Sequence, residues 1–146
     1  MVASAARFEA ATSSALVVSR GEAGFASGGV RLLLRLEGVA AFAVAIALYA
    51  HAGFSWPMFV LLLLSPDLAM LGYLAGPRFG AATYNLVHTY TAALPLVLAG
   101  FFAAVPALTA AGLILIAHIG FDRALGFGLK YSTAFGDTHL GRSGRR

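Results

Sequence analysis

Residues 106–123, PALTAAGLILIAHIGFDR, combine a membrane-length apolar run with an imidazole and a carboxylate, those of His118 and Asp122. A run of this length approaches the roughly 20 apolar residues that an α-helix needs to cross a bilayer. Three further stretches have the same character, at about 32–52, 56–74 and 80–102. The sequence therefore predicts an all-α fold, a four-helix transmembrane bundle.

The composition of the chain agrees with a membrane protein. The 146 residues are 60% hydrophobic and only 11% charged, with a mean hydropathy of +0.83. Soluble domains usually carry about 25% charged residues, so most of this surface is expected to face lipid. The chain has no cysteine, which excludes disulfides, zinc–thiolate sites and thiol nucleophiles.

The basic residues predict the orientation of the bundle. All ten Lys and Arg residues lie before or near the start of span 1, between spans 2 and 3, or at the end of span 4 and beyond. The other two links, at about 51–56 and 103–106, contain none. By the positive-inside rule, both termini are predicted to be cytoplasmic. Because the links are short, consecutive spans are expected to be antiparallel neighbours.

The regions outside the spans are expected to be simple. Residues 1–29 predict a flexible cytoplasmic tail, 30–127 the membrane bundle, and 128–146 an interfacial, basic cytoplasmic tail. We expect Asp137 and His139 to lie in an exposed turn, with a return toward the polar layer of the bundle as the alternative. The terminal arginines are expected to contact anionic lipid headgroups rather than nucleic acid.

Small residues predict close helix packing. Gly72, Gly76 and Gly80 recur every four residues, as do Ala41 and Ala45. Such spacing lets helix backbones approach closely in lipid, where hydrophobicity does not drive association. We expect these contacts within one chain, and a homo-oligomer interface is the alternative.

Polar residues interrupt the spans at similar depth. The candidate polar site consists of Glu37, Asp67, Tyr84, Asn85, His88, His118 and Asp122. A rise of about 1.5 Å per residue places them all in the cytoplasmic half of the membrane. A charge in hydrocarbon costs roughly 2.5–3.5 kcal/mol on insertion scales, so this layer requires partners. Pro66 has no N–H and predicts a break in the helix beside Asp67.

Several interpretations of this layer stay open. It is an interhelical lock in a structural or accessory membrane protein, or it is a divalent metal site. The candidate ligands of the metal site are Asp67, His88, His118 and Asp122, with Glu37 as a substitute for Asp122. A metal would favour hydrolysis of a lipid or phosphate ester on the cytoplasmic side.

Two further interpretations are a proton or ion relay in an oligomeric transporter and a haem held by His88 and His118. The apolar outer half of the bundle argues against a complete relay within one monomer. The neighbouring carboxylates make a poor haem pocket.

Three motifs carry a family resemblance. They are SPDLAMLGYLAGPR at 65–78, YNLVHTY at 84–90 and HIGFDRALGFGLKY at 118–131. In this order they resemble a family of small bacterial integral membrane proteins, domain-of-unknown-function family 4260, over about 32–141. The resemblance implies a four-span bundle in the bacterial inner membrane. It implies no activity, cofactor or catalytic residue.

Overall fold

The computed structural model describes residues 24–142 and contains four helical spans long and apolar enough to cross a membrane. The spans are Gly28–His51, Trp56–Ala75, Pro77–Phe102 and Pro106–Leu125. This confirms the predicted four-helix transmembrane bundle. The predicted N-terminal tail lies largely outside the described residues.

Two of the spans are interrupted. Span 1 is the helix α1 (Gly28–His51) and span 4 is the helix α5 (Pro106–Leu125). Span 2 consists of α2 (Trp56–Leu63) and a 3₁₀ helix (Ser65–Ala75), and span 3 of α3 (Pro77–Val87) and α4 (Tyr90–Phe102). A short antiparallel hairpin of β1 (Asp137–Thr138) and β2 (Gly141–Arg142) follows span 4.

The break in span 2 lies where Pro66 predicts it. Helix α2 ends at Leu63, and the chain continues as a 3₁₀ helix from Ser65. Because Pro66 cannot donate a hydrogen bond, the carbonyl of Leu62 loses its helical partner. The Ser65 hydroxyl donates to that carbonyl at 2.7 Å instead. A 3₁₀ helix of 11 residues is unusually long.

The break in span 3 differs from the predicted continuous helix. Helix α3 ends at Val87, and Thr89 is extended, with φ −116° and ψ 140°. The Thr89 hydroxyl caps α4 by accepting from the Thr91 N–H at 3.4 Å. Pro95 lies inside α4 and frees the Thr91 carbonyl. Hydropathy does not detect this break because both halves are apolar.

Helix α5 is the centre of the bundle and packs along α1. A Cβ added to Gly38 would lie 2.8 Å from the Gly120 carbonyl oxygen, so these two backbones touch. Further along both helices, Ala45 and Tyr49 share a buried core with Ala117 and its neighbours. The two helices therefore run antiparallel, with glycine at their closest approach.

Span 1 has span 4, rather than span 2, as its main neighbour, which differs from the sequence expectation. Its contact with span 2 is at the end of α1, where the Tyr49 ring packs on Trp56 and Phe59 at centroid distances of 5.7 and 5.0 Å. The link between α1 and α2 is still short, but the two helices diverge. Spans 2 and 3 pack closely, with Gly72 against Thr83 and Gly80 against Tyr73, as expected for contacts within one chain.

The segment 126–142, here called the C-terminal segment, folds back against the bundle. Gly126 ends α5 in a left-handed conformation, with φ +97°. The chain then returns beside α3, and Asp137 and Thr138 are 8% and 1% exposed. The expected exposed turn at Asp137 is therefore wrong.

Candidate metal centre

Four potential metal ligands meet inside the bundle. Asp67 lies at the start of the 3₁₀ helix, His88 is the C-cap residue that follows α3, and His118 and Asp122 lie one turn apart on α5. Both helix breaks therefore adjoin the residues that form the site. Irregular backbone at membrane depth is tolerated where it is buried in protein or lines a cavity.

The ligand atoms of this group, here called the four-residue cluster, converge closely. The two imidazole Nε2 atoms of His88 and His118 are 2.9 Å apart. His88 Nε2 lies 3.4 Å from Asp67 Oδ1 and 3.7 Å from Asp122 Oδ2. His118 Nε2 lies 3.7 and 3.8 Å from the same two oxygens. All four atoms lie within 4.8 Å of one another.

The tautomer of His88 is determined by its backbone contact. Its Nδ1 lies 2.8 Å from the carbonyl oxygen of Tyr84. Because a carbonyl only accepts, Nδ1 must carry the proton, and Nε2 of the neutral ring presents a lone pair to the cluster. The Tyr84 ring stacks on the imidazole at a centroid distance of 3.6 Å. A ring that donates through Nδ1 to a backbone carbonyl is typical of a histidine that binds a metal through Nε2.

Two buried polar atoms of the cluster have no hydrogen-bond partner among residues 24–142. They are Asp67 Oδ1 and His118 Nδ1. Buried polar groups in native proteins are nearly always paired, since an unpaired one costs about 1–3 kcal/mol. The second carboxylate is better satisfied, because the Tyr84 hydroxyl donates to Asp122 Oδ2 at 3.0 Å.

The donor set and its spacing fit a divalent transition metal. Imidazole nitrogen and carboxylate oxygen bind zinc at about 2.0–2.2 Å, which separates tetrahedral ligands by about 3.3 Å. The separations of the Nε2 atoms from the two carboxylate oxygens, 3.4–3.8 Å, are close to this value. Manganese and iron(II) accept the same ligand types.

The comparisons with known proteins identify the family. The sequence profile of a domain of unknown function (DUF4260) matches residues 31–143. The chain belongs to this family. The matched range confirms the resemblance carried by the three motifs and includes the whole cluster. No curated protein and no solved structure matches the chain.

The other predicted site residues lie outside the cluster of this DUF4260 protein. Glu37 is exposed on α1 and forms no ion pair within residues 24–142. Asn85 is half-buried, and its side chain pairs with the backbone of Lys130. Asp137 accepts hydrogen bonds from Thr133 and Arg142, each at 2.7 Å. Asp137 is therefore committed to the hairpin and not to the cluster.

His139 is also used within the C-terminal segment. Its Nδ1 accepts a hydrogen bond from the Leu129 N–H at 2.8 Å, and the backbone N–H of His139 donates to the Leu129 carbonyl at 3.0 Å. Burial lowers the pKa of His139, and the positive charge of Arg123 lowers it further. The ring is therefore neutral at pH 7 and free to accept.

Lys130 is the residue that sequence reasoning missed. It is 9% exposed, and its Nζ donates to the Phe135 carbonyl at 2.9 Å and lies 3.9 Å from the Phe135 ring centroid. Burial lowers the pKa of Lys130, while the carboxylates of Asp122 and Asp67 favour its charged form. No local pattern distinguishes it from the surface basic residues, because its position depends on the return of the chain to Asn85.

A cavity of about 280 Å³ adjoins the cluster. Its lining residues are Asp67, Met70, Tyr84, Asp122, Phe127, Lys130 and Phe135. The two carboxylates of the cluster, one ammonium group and three apolar side chains thus share one space. We call this space the Lys130 cavity.

Proposed function

We propose that this integral membrane protein is a metal-dependent enzyme whose four-residue cluster binds one divalent transition-metal ion. The observation that carries the proposal is the convergence of four ligand atoms from three spans within 4.8 Å. The carboxylate oxygens of Asp67 and Asp122 converge on the same His88 Nε2 atom, at 3.4 and 3.7 Å, and a cation between the two negative charges would remove their mutual repulsion.

A purely structural lock accounts less well for these contacts. In a lock each acceptor would have a donor, yet Asp67 Oδ1 has none among residues 24–142. A proton shared between the two imidazoles satisfies their Nε2 atoms and leaves Asp67 Oδ1 unpaired. A metal ion would bind Asp67 Oδ1 directly and would replace the contact between the two Nε2 atoms.

The Lys130 cavity favours catalysis over a closed structural site. Structural zinc sites are fully coordinated by four protein ligands, whereas a catalytic ion keeps a position open to water or substrate. Beside the four ligands of the cluster, such a position requires an ion that accepts more than four ligands, as manganese and iron(II) do, rather than tetrahedral zinc. Asp67 and Asp122 belong to the cluster and also line the cavity. A divalent ion there would polarise a substrate oxygen and lower the pKa of a bound water, which suits hydrolysis of an ester.

Ion transport is a second candidate, supported by the two broken spans. Asp67 and His88 both lie at interruptions of apolar helices, and discontinuous helices form ion sites in many transporters. An oligomer would have to supply a path through the apolar remainder of the bundle. Metal-dependent flux into proteoliposomes, without turnover of any ester, would favour this candidate.

For orientation, we propose a bacterial inner-membrane location with both termini cytoplasmic. The basic residues Arg31, Arg78, Arg123 and Lys130 all lie at one end of the spans, which supports this orientation by the positive-inside rule. Because the chain has no cysteine, single cysteines at the exposed positions Ala52 and Ser132 can be tested for labelling by a membrane-impermeant reagent. Labelling of Ala52→Cys from outside, and of Ser132→Cys only after lysis, is expected.

Metal content tests the enzyme proposal. Protein purified in detergent and loaded with zinc, manganese or iron(II) is expected to hold about one ion per chain, measured by elemental mass spectrometry. Asp67→Asn and His88→Ala should lose it, because each removes one of four ligands. The matched control is His51→Ala, because His51 is exposed at the end of α1.

Circular dichroism during unfolding in detergent checks that each variant is folded. A folded wild type that holds no metal, or a folded His88→Ala that keeps it, would overturn the proposal. If His88→Ala does not fold, Asp67→Asn serves alone. Asp67 is the more exposed of the two cluster carboxylates, at 35% against 15% for Asp122, so its substitution disturbs the fold less.

A further inference from the structure

We infer that the Lys130 cavity binds a phosphoryl group between the metal ion and the Lys130 ammonium. This inference rests on the proposed metal site and specifies its substrate class, a phosphate monoester. It uses two features of the cavity that the metal site itself does not need, a buried cation and apolar walls.

Charge balance selects an anion. A divalent ion neutralises the carboxylates of Asp67 and Asp122, which are the two acidic groups lining the cavity. Within residues 24–142, Lys130 forms no salt bridge, and its Nζ donates only to a backbone carbonyl, so an ammonium charge there is then unmatched. A buried ammonium without a counter-ion is costly, and an anion that also binds the metal would remove that cost.

The ammonium group of Lys130 is held at a defined place. Its Nζ makes one hydrogen bond within residues 24–142, to the Phe135 carbonyl, which leaves two N–H donors for a ligand. The backbone on either side of its Cα is clamped by Asn85, at 2.7 and 2.8 Å. The centroids of the Phe135 and Tyr84 rings lie 3.9 and 4.9 Å from Nζ, and these rings restrict its position further.

The remaining walls suit the organic part of an ester. Met70, Phe127 and Phe135 line the same cavity and offer no donor or acceptor from their side chains. A phosphate monoester with an apolar substituent would therefore place its dianion between the metal and Lys130 and its substituent against these side chains. Such an ester is either water-soluble or the headgroup of a lipid, and both present the same phosphoryl chemistry.

Phosphorus-31 relaxation of added ligands tests the inference. Protein is purified in a phosphorus-free detergent and loaded with Mn²⁺, which accepts the nitrogen and oxygen ligands of the cluster. Inorganic phosphate and short-chain phosphatidate are added in separate arms. Paramagnetic Mn²⁺ is expected to broaden the phosphorus line several-fold more with wild type than with Lys130→Gln at equal Mn²⁺ content.

Arg78→Gln is the matched control, because it removes one exposed positive charge outside the cavity. It should broaden the line as wild type does. Stronger broadening of phosphatidate assigns the site to a lipid headgroup, and stronger broadening of phosphate assigns it to a soluble ester. If Lys130→Gln does not fold, Lys130→Arg should retain broadening, and its loss there with Mn²⁺ still bound would count against the inference.

The outcomes separate this inference from the metal proposal. Bound Mn²⁺ with no broadening by either ligand, or with equal broadening in Lys130→Gln, overturns the phosphoryl site and leaves the metal site standing. A failure of folded wild type to bind Mn²⁺, zinc or iron(II) overturns both.

Discussion

The side-chain amide of Asn85 forms two hydrogen bonds with the backbone of Lys130, 45 residues later in the chain. Its Nδ2 donates to the Lys130 carbonyl at 2.8 Å, and its Oδ1 accepts from the Lys130 N–H at 2.7 Å. This pairing attaches the C-terminal segment to α3, one turn from His88. It therefore connects the proposed metal site to the proposed anion site through a single side chain.

Asn85→Ala is expected to loosen the C-terminal segment without removing the metal. Two partly buried backbone groups lose their partners, at about 1–3 kcal/mol each, so we expect the unfolding free energy to fall by about 2–6 kcal/mol. Hydrogen exchange of peptides covering 128–142 measures the change. The control is Ser132→Ala, which is exposed in the same segment. Unchanged exchange in Asn85→Ala would contradict the prediction.

Tyr84→Phe is expected to weaken metal binding about 10–100-fold, the usual effect of removing a group that orients a ligand. The substitution removes the hydrogen bond to Asp122 and keeps the ring that stacks on His88. Competition with a chelator measures the affinity. Tyr49→Phe is the matched control, since it removes a hydroxyl that donates to the Ser55 carbonyl instead. Equal affinities in the two variants would refute this role of Tyr84.

Gly120→Ala is expected to lower the unfolding free energy by about 1–3 kcal/mol, the usual cost of overpacking. The new methyl group would lie 2.7 Å from the Phe42 backbone nitrogen and 2.8 Å from the Gly38 oxygen, so α1 must move. Thermal unfolding in detergent measures the effect. Gly29→Ala is the control, because Gly29 lies on α1 with no atom within 4 Å of the added methyl group. This substitution should be neutral or slightly stabilising. A Gly120→Ala variant as stable as wild type would show that the helices separate without cost.

Acid is expected to weaken the C-terminal segment through His139. Its pKa is lowered in the folded state, so the folded protein binds the proton less well than the unfolded chain does. The neutral His139 ring contributes fully to folding stability above the unfolded-state pKa of about 6.5. This contribution is lost as the pH falls through the lower pKa that His139 has in the folded protein. Protonation also removes the acceptor of the Leu129 N–H.

Protection of the Leu129 amide against hydrogen exchange, corrected for the intrinsic pH dependence, should therefore fall below pH 6.5 by comparison with pH 7.5, on the reference scale for histidine. His139→Asn supplies a similar acceptor that does not titrate. Its protection should be independent of pH in this range. A wild-type protection that is equally independent of pH would rule out His139 as the titrating group.

Much of the site was predictable as a set of residues, but not as an arrangement. Asp67, His88, His118 and Asp122 stand out because ionisable groups are rare in apolar spans. Glu37 stands out for the same reason, yet it is exposed on α1 and outside the cluster. Depth along a helix follows from residue number, whereas the direction that a side chain faces depends on how the helix is rotated against its neighbours.

The membrane class, the number of spans and the break at Pro66 were all predictable from the amino-acid sequence. Each of these follows from local chemistry, namely apolar length and a missing N–H. Three other features became visible only in the folded chain: α1 packs on α5, span 3 breaks before Thr89, and Lys130 is buried beside the cluster. These outcomes depend on contacts between residues far apart in the chain, such as Gly38 with Gly120, which hydropathy and spacing do not encode.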